Sequence, residues 1–364
     1  MSDAATPAPG LVKCLVWDLD NTLWKGTLLE GGGTELAAPV RTVIEQLDAR
    51  GILQSVASKN DHDPAWERLT ELGVADYFVH PQIGWGTKSA AVRAIAERLN
   101  FATGTLAFID DQPAERAEVA YHLPEVRCYP AEDVAGLLGL AEFSPATVTV
   151  DARNRRLMYQ ASFVREAHRA DHTGPDEDFL RTLELDLRIG RAGDEEISRV
   201  EELTLRTSQM NATGVHYSDA TLRGLLTDPD HEVLVVTLTD RFGPHGAVGI
   251  LLLRRHASVW RLKLLATSCR VVSFGVGSAL LGWLGNEAAA AGVHLAADFR
   301  RTERNRMMEI AYGFAGFTET PCPCLAELGS TGTDGIRHLH LEPRIQPLPS
   351  TLRLTAPGFA LGRV

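Results

Sequence analysis

Through its first 150 residues the chain alternates short apolar runs with segments of helical periodicity. Residues 11–17, 52–57 and 106–109 are mostly apolar and bounded by polar positions, the pattern of parallel strands buried on both faces. Between them, residues 39–50, 64–72 and 89–99 space their apolar positions as amphipathic helices do. Repeated strand–helix units predict an α/β domain built on a doubly wound parallel sheet with right-handed crossovers.

The pattern changes after residue 150. Residues 151–177 open with the charged run Asp151-Ala152-Arg153-Asn154-Arg155-Arg156 and reach a break at His172-Thr173-Gly174-Pro175, so they are expected to form a helical linker. A second α/β unit follows over 178–345. Strands are expected at 183–189, 232–238, 247–253, 260–266 and 293–298, with helices at 194–207 and 276–291. A glycine-containing turn precedes the second helix. Residues 1–10 are expected to be a disordered lead and 346–364 a C-terminal tail.

Composition narrows the function classes. At 364 residues, 45% hydrophobic and 23% charged, each half has the apolar content to bury a core. A formal net charge of −11 disfavours nonspecific binding to nucleic acid or an anionic membrane. No apolar run approaches the roughly 20 residues that span a bilayer. The N-terminal stretch lacks a basic region followed by an apolar one, and five irregularly spaced cysteines suggest reduced thiols, so a cytoplasmic protein is expected.

The chemistry concentrates where the expected strands end. Asp18-Leu19-Asp20-Asn21-Thr22 follows the first apolar run, Ser58-Lys59-Asn60 the second and Asp110-Asp111 the third, while Lys88 opens a helix after Ile83-Gly84-Trp85-Gly86-Thr87. Ligands of such sheets bind beyond the carboxyl ends of the strands, so these residues should share one crevice. Phosphoester chemistry needs a carboxylate to attack phosphorus and cations to offset the repulsion between anions. Asp18 is the expected nucleophile. Mg2+, which prefers hard oxygens, would take Asp18 and Asp110, the neighbouring Asp111 and Asp20 through its carbonyl. Ser58 and Lys88 would hold phosphate oxygens, and the Asp20 carboxyl would protonate the leaving alkoxide and later activate water. Any one of these aspartates alone could be a turn former or helix cap.

Over residues 11–130 this ordered set resembles the haloacid-dehalogenase (HAD) superfamily in all four of its motifs, and the second acidic residue, Asp20, implies phosphatase-like hydrolysis rather than dehalogenation. Only 35 residues separate Thr22 from Ser58, too few for a large cap domain beside a packing helix. Capless members of the superfamily tend to act on large or carrier-bound substrates.

In the second unit, residues 260–284 run from an apolar strand through Ser268-Cys269-Arg270-Val271-Val272-Ser273-Phe274-Gly275-Val276-Gly277 into an apolar helix. This resembles the pyrophosphate loop of GNAT-type acyltransferases, with Ser273 in place of a loop glycine. Backbone N–H groups there could hold a phosphate at the helix N-terminus. The segments Arg206-Thr207-Ser208-Gln209-Met210-Asn211 and Asp240-Arg241-Phe242-Gly243 fall where that fold has a helix end and a hairpin loop. Arg270, Ser273, Gly275, Gly277, Asn211 and Asp240 are the expected acyl and pantetheine site. Cys269, beside Arg270 and near a helix N-terminus, is expected to have a depressed pKa and to react as thiolate. His245 and His294 are candidates for its base.

Over nearly its full length the chain resembles the FkbH-like family of glyceryltransferase/phosphatases. The segments that carry this resemblance are Asp18–Gly26, Ser58-Lys59-Asn60, Asp110–Glu115, Asp240–Gly243 and Ser268-Cys269-Arg270. The resemblance implies conversion of 1,3-bisphosphoglycerate to a glyceryl thioester on an acyl carrier protein, for polyketide-type assembly, with Cys269 carrying the glyceryl group in transit. Ser208 and Met210 depart from the family's usual residues. Two rivals remain: a HAD phosphatase whose GNAT-like domain only docks a carrier-bound substrate, and a binding module without acyl chemistry.

Cys322-Pro323-Cys324 and His338-Leu339-His340 could furnish four zinc donors, the histidines sharing one face of a strand. Cys-x-Cys is unusual beside the common Cys-x-x-Cys, so metal binding is left open. Cys14 and Cys128 read as packing residues. The basic run of residues 300–306 reads as a solvated turn or as a rim that attracts an acidic carrier.

Overall fold

The computed structural model describes residues 10–30, 35–194, 196–207, 209–329 and 335–359. Residues 1–9 of the expected lead, together with Ser208, lie outside this set. The chain divides into two units, Met1–Gln160 and Ala161–Val364. Each has its own sheet and its own apolar core.

The first unit runs β1 (Cys14–Trp17), α1 (Val40–Ala49), β2 (Leu53–Ser58), α2 (His62–Glu71), β3 (Gln82–Ile83), α3 (Lys88–Leu99), β4 (Leu106–Asp110), α4 (Pro113–His122), β5 (Arg127–Pro130) and α5 (Val150–Arg153). All five strands are parallel, in the order β3-β2-β1-β4-β5. β1, β2 and β4 are buried at every position, so they could not show a polar alternation. Gln54 tolerates burial in β2 because its side chain accepts from Trp17 Nε1 at 3.1 Å and donates to the Ile44 carbonyl at 2.9 Å. The edge strands β3 and β5 are two and four residues long and half-buried, and they lack the apolar run by which the sequence revealed the others. α1 buries Val40, Val43, Ile44 and Leu47, one stripe at helical spacing against the sheet.

This strand order places the site. From β1 the chain builds β2 and β3 to one side, then β4 and β5 to the other. The reversal opens a crevice beyond the carboxyl ends of β1 and β4, where Asp18 and Asp110 stand. Between Thr22 and Ser58 the described residues hold a 3-10 turn (Leu28–Glu30), α1 and β2, and no cap domain.

Residues expected as a helical linker form α6 (Arg155–Asp171) and α7 (Asp176–Thr182), and the division of the chain falls inside α6. The second unit continues with β6 (Leu185–Arg191), α8 (Ile197–Arg206), α9 (Asp219–Leu226), β7 (His231–Asp240), β8 (Gly243–Arg255), β9 (Val259–Thr267), α10 (Val276–Ala291), β10 (His294–Phe299), α11 (Arg306–Phe314), β11 (Arg337–Leu341) and β12 (Leu352–Thr355). Its seven strands are ordered β11-β10-β9-β8-β7-β6-β12. β6 to β9 pair antiparallel, while β9 and β10 are parallel. A parallel pair needs a crossover, which the long buried helix α10 supplies.

The expected tail contains an element of this sheet. β12 lies parallel to β6, with Leu352 and Leu354 packed against the core and Arg353 and Thr355 exposed. Four alternating residues are too short a signal to mark a strand in sequence. Among the described residues no helix is long and apolar enough to cross a membrane.

Candidate active sites

In the first unit, Asp18, Lys88 and Asp110 form a buried charged group with relative exposures of 5%, 3% and 1%. Lys88 Nζ donates to Asp18 Oδ1, to Asp110 Oδ2 at 2.9 Å and to the Ala57 carbonyl at 2.8 Å. Lys88 can reach all three because it is the first residue of α3, whose N-cap Thr87 accepts from Ala90 N. Burial pushes the Asp18 carboxyl up to about 6; the Asp110 charge adds to this, and Lys88 opposes it. Burial and Asp110 likewise raise Asp111.

Three carboxylates thus face one ammonium. Carboxylate oxygens of Asp18, Asp110 and Asp111 lie within 4.8 Å of one another, and Asp111 Oδ1 is buried without a hydrogen-bond partner. An orphaned buried oxygen in an excess of negative charge is what a hard divalent cation would satisfy, so these residues fit one. The Asp20 carboxylate stands apart from this trio, in keeping with a role at the metal through its carbonyl alone. Oδ1 accepts from Trp24 Nε1 at 2.8 Å and Leu28 N at 3.0 Å, and Oδ2 accepts from Asn60 Nδ2 at 3.1 Å. These donors fix its direction and leave only its carbonyl for the role first expected.

Sequence reasoning gave no role to Asn60. It is 1% exposed, and its Nδ2 also reaches Ser58 Oγ at 3.2 Å, so one amide ties the expected acid to the expected phosphate-holding hydroxyl. Thr22 Oγ1 accepts from Asp111 N at 3.0 Å, and Arg116 Nη1 donates to the carbonyls of Asp110 and Asp111, which fixes the end of β4. Ser58 and Lys88 line a cleft of about 230 Å³ with Gly84, Gly86 and Thr87.

In the second unit Cys269 is exposed and begins a 3-10 turn, Cys269–Phe274. The glycine-containing turn expected here is a 3-10 turn capped by Gly275. It closes through Ser268 Oγ, which accepts from Arg270 N, and through Val271 N to Ser268 O and Gly275 N to Val272 O, so these amides are spent internally. Gly275 has φ +75°, a left-handed conformation that suits glycine, and it leads into α10, whose first turn contains Gly277. Arg270 bends back, its Nε donating to Ser268 Oγ at 3.3 Å.

Asp240 is the hub of a second buried network. Its Oδ2 accepts from Arg165 Nε at 2.5 Å and pairs with His245 Nε2 at 3.0 Å, while Oδ1 accepts from Phe242 N and Gly243 N. Burial works against the Asp240 charge, but the hydrogen bonds from His245 and Arg165 and the Arg165 charge hold its carboxyl far below the usual range. Burial lowers His245, and Arg165 and Arg270 push the same way against the Asp240 contact. His245 packs edge-on to Phe274 with ring centres 5.3 Å apart. Arg165, in the stretch read as a linker, was missed because no motif marks it. It lines a cavity of about 230 Å³ with Ser273, Phe274 and Phe179, and its Nη2 is buried without a hydrogen-bond partner.

The Asn211 side-chain oxygen accepts from Thr213 N at 3.0 Å and Gly214 N at 2.8 Å, so it closes its own loop. Asn305, within the basic run, is fully buried and donates to the carbonyls of Asn211, Ala212 and Arg300, while Arg301 and Arg304 are exposed. His294 faces Cys322, Cys324 and His340 instead of serving as a base near Cys269, and His338 pairs with Asp298. Cys14 is fully buried, while Cys128 on the edge strand is only half-buried.

No protein-family model matches the chain, and no curated protein matches it. Similar solved structures include the N-terminal part of the protein BF1531 from Bacteroides fragilis, which contains a phosphatase domain complexed with Mg. It is 29% identical, with 38% of this chain and 42% of that one covered and a TM-score of 0.34. Another is the cobalt-bound deoxy-D-mannose-octulosonate 8-phosphate phosphatase of Haemophilus influenzae, at 20% identity, coverage of 30% and 64%, and a TM-score of 0.26. A third is the ribosomal-protein-S18-alanine N-acetyltransferase of Escherichia coli, at 18% identity, coverage of 45% and 97%, and a TM-score of 0.32.

Proposed function

We propose that the chain joins a magnesium-dependent HAD-type phosphatase to a GNAT-like cysteine acyltransferase, and that it converts 1,3-bisphosphoglycerate into a glyceryl thioester on an acyl carrier protein, as the FkbH-like resemblance implies. The observation that carries the reading is the buried Asp18–Lys88–Asp110 group at the strand switch point, with Asp111 Oδ1 unsatisfied beside it.

In the first unit Asp18 attacks the phosphorus of the glyceryl phosphomonoester. The carboxylate–phosphorus bond forms, the bond to the glyceryl oxygen breaks, and that oxygen takes a proton from Asp20. Water, giving its proton to Asp20, then cleaves the aspartyl phosphate. Lys88 and Ser58 hold the phosphoryl oxygens, and Asn60 keeps Ser58 and Asp20 in fixed relation. A magnesium ion held by Asp18, Asp110 and Asp111 would supply the positive charge that draws an anionic phosphate to an anionic nucleophile.

In the second unit the Cys269 thiolate attacks the carbonyl carbon of the acyl phosphate. The carbon–sulfur bond forms and inorganic phosphate leaves. Exposure of Cys269 leaves it open to a pantetheine thiol, which takes the acyl group by thioester exchange. His245 is the better base of the two candidates. With Nε2–H directed at Asp240, its Nδ1 keeps a lone pair, and its depressed pKa keeps it neutral at pH 7. The Arg165-lined cavity offers a buried cation to an anionic substrate.

Phosphate release tests the assignment. With 1,3-bisphosphoglycerate, magnesium and carrier protein, two equivalents of phosphate should appear per glyceryl group loaded. Asp18→Asn should release one, and Cys269→Ala should load nothing. Undiminished loading by Cys269→Ala would defeat the acyl assignment and leave the phosphatase standing.

A further inference from the structure

In the second unit, four side chains from three separate segments converge near the sheet edge formed by β10 and β11. Cys322 and Cys324 come from the 3-10 turn Pro323–Leu328 and its N-cap, His294 from the start of β10 and His340 from β11. Their donor atoms all lie within 4.8 Å of one another. His294 Nδ1 is 2.9 Å from His340 Nε2 and 3.4 Å from each sulfur, and the two sulfurs are 3.1 Å apart. A disulfide is excluded in this arrangement, because S–S bonds are about 2.05 Å. Tetrahedral zinc with Zn–S of about 2.3 Å and Zn–N of about 2.0–2.1 Å has donor–donor edges of roughly 3.3–3.8 Å. The nitrogen–sulfur edges already fall in this range, the nitrogen–nitrogen edge is about 0.4 Å short and the sulfur–sulfur edge about 0.7 Å short, so a central ion needs the two sulfurs to spread and the imidazoles to shift slightly outward.

The backbone holds these donors in place. His294 N donates to Ser258 O at 2.9 Å, and Ser258 in turn donates from its N and Oγ to Glu327 in the cysteine-bearing turn. His340 exchanges both backbone hydrogen bonds with Thr318, just upstream of Cys322. Pro323 between the cysteines restricts the turn that sets both sulfurs on one side.

We propose that His294, Cys322, Cys324 and His340 bind one zinc ion in a closed Cys2His2 site that staples residues 318–328 to the sheet edge. Two sulfurs and two imidazoles are a zinc donor set, and four protein ligands leave no open position, the mark of a structural rather than a catalytic site. Binding displaces the two thiol protons, and its free energy adds to folding. Strand period alone pointed to His338 as the partner of His340 because both lie on one face. Asp298 takes His338 at 2.9 Å, and the neighbouring strand supplies His294 instead.

The test is metal analysis of the full chain expressed with added zinc and purified under reducing conditions. One zinc per chain is expected in the wild type and in Asp18→Asn. Cys322→Ser/Cys324→Ser and His294→Ala should lose at least tenfold in bound zinc, and His338→Ala should keep it. Because a variant can fail to fold, cobalt is also titrated into chelator-treated wild type, where thiolate-to-cobalt charge-transfer bands of a tetrahedral site should saturate at one equivalent. Zinc-free wild type that shows no such bands, equal zinc in the double cysteine variant, or zinc lost from His338→Ala but not from His294→Ala would overturn the proposal.

Discussion

Replacing the nucleophile should make the metal-free protein more stable. Asp18 is 5% exposed, and burial raises its carboxyl from 3.8 to about 6. One pKa unit corresponds to about 1.36 kcal/mol, so the ionised native form costs about 3 kcal/mol relative to the protonated one. The sign follows from the raised value. Stability from protonated Asp18 is fully present below pH 3.8, and it is lost as pH rises through about 6. Asp18→Asn removes the titrating charge at nearly constant shape, and Lys88 retains Asp110 and the Ala57 carbonyl. In EDTA at pH 7.5 the variant should therefore unfold at higher urea than wild type, by about 1–3 kcal/mol. The difference should vanish near pH 4. Magnesium should then stabilise wild type strongly and the variant weakly, because a ligand that binds only the native state stabilises it by mass action. A variant less stable than wild type in EDTA at pH 7.5, or equal magnesium shifts in both proteins, would refute the reasoning.

Asn60→Ala should cut phosphate release by about 10–100-fold in kcat, the scale of one lost hydrogen bond to a charged group, with little change in KM. Acyl loading should lose rate on its acid side below the ordinary histidine value of 6.5, because burial lowers His245 and its neutral form is the base; His245→Ala should remove that limb from the pH–rate profile. Asp240→Asn leaves Arg165 buried beside a neutral partner and should cost about 3–5 kcal/mol, read as a lower Tm with the first unit's phosphatase activity retained. Leu47→Ala removes a fully buried side chain from the α1 stripe and should cost about 2–5 kcal/mol by urea denaturation, while leaving the Asp18–Lys88 contacts formed.

The parts legible in sequence were those with local signatures. β1 and β4 are apolar runs and β2 a buried, mostly apolar segment, and Asp18, Ser58 and Asp110 stand at or just beyond their ends, so strand positions alone brought these residues to one crevice. Lys88 was found because a helix begins there. What escaped were features set by tertiary contact. Arg165 sits on a charged helix whose sequence says nothing of Asp240, 75 residues on. Asn60 carries no motif signal that separates a bridging amide from a turn former. The glycines before α10 marked a turn but not its form, and the residues between Ser268 and Gly275 wind into a 3-10 turn. His294 and His340 are 46 residues apart and meet through the pairing of β10 and β11, which periodicity within either strand cannot show.

Intact-protein mass spectrometry after mixing the chain with magnesium and 1,3-bisphosphoglycerate, followed by peptide mapping, probes both chemistries together. Wild type should carry a glyceryl group on Cys269, Asp18→Asn a phosphoglyceryl group on the same sulfur, and Cys269→Ala neither. An adduct on any other residue, or a dephosphorylated adduct on the Asp18→Asn protein, would contradict the account.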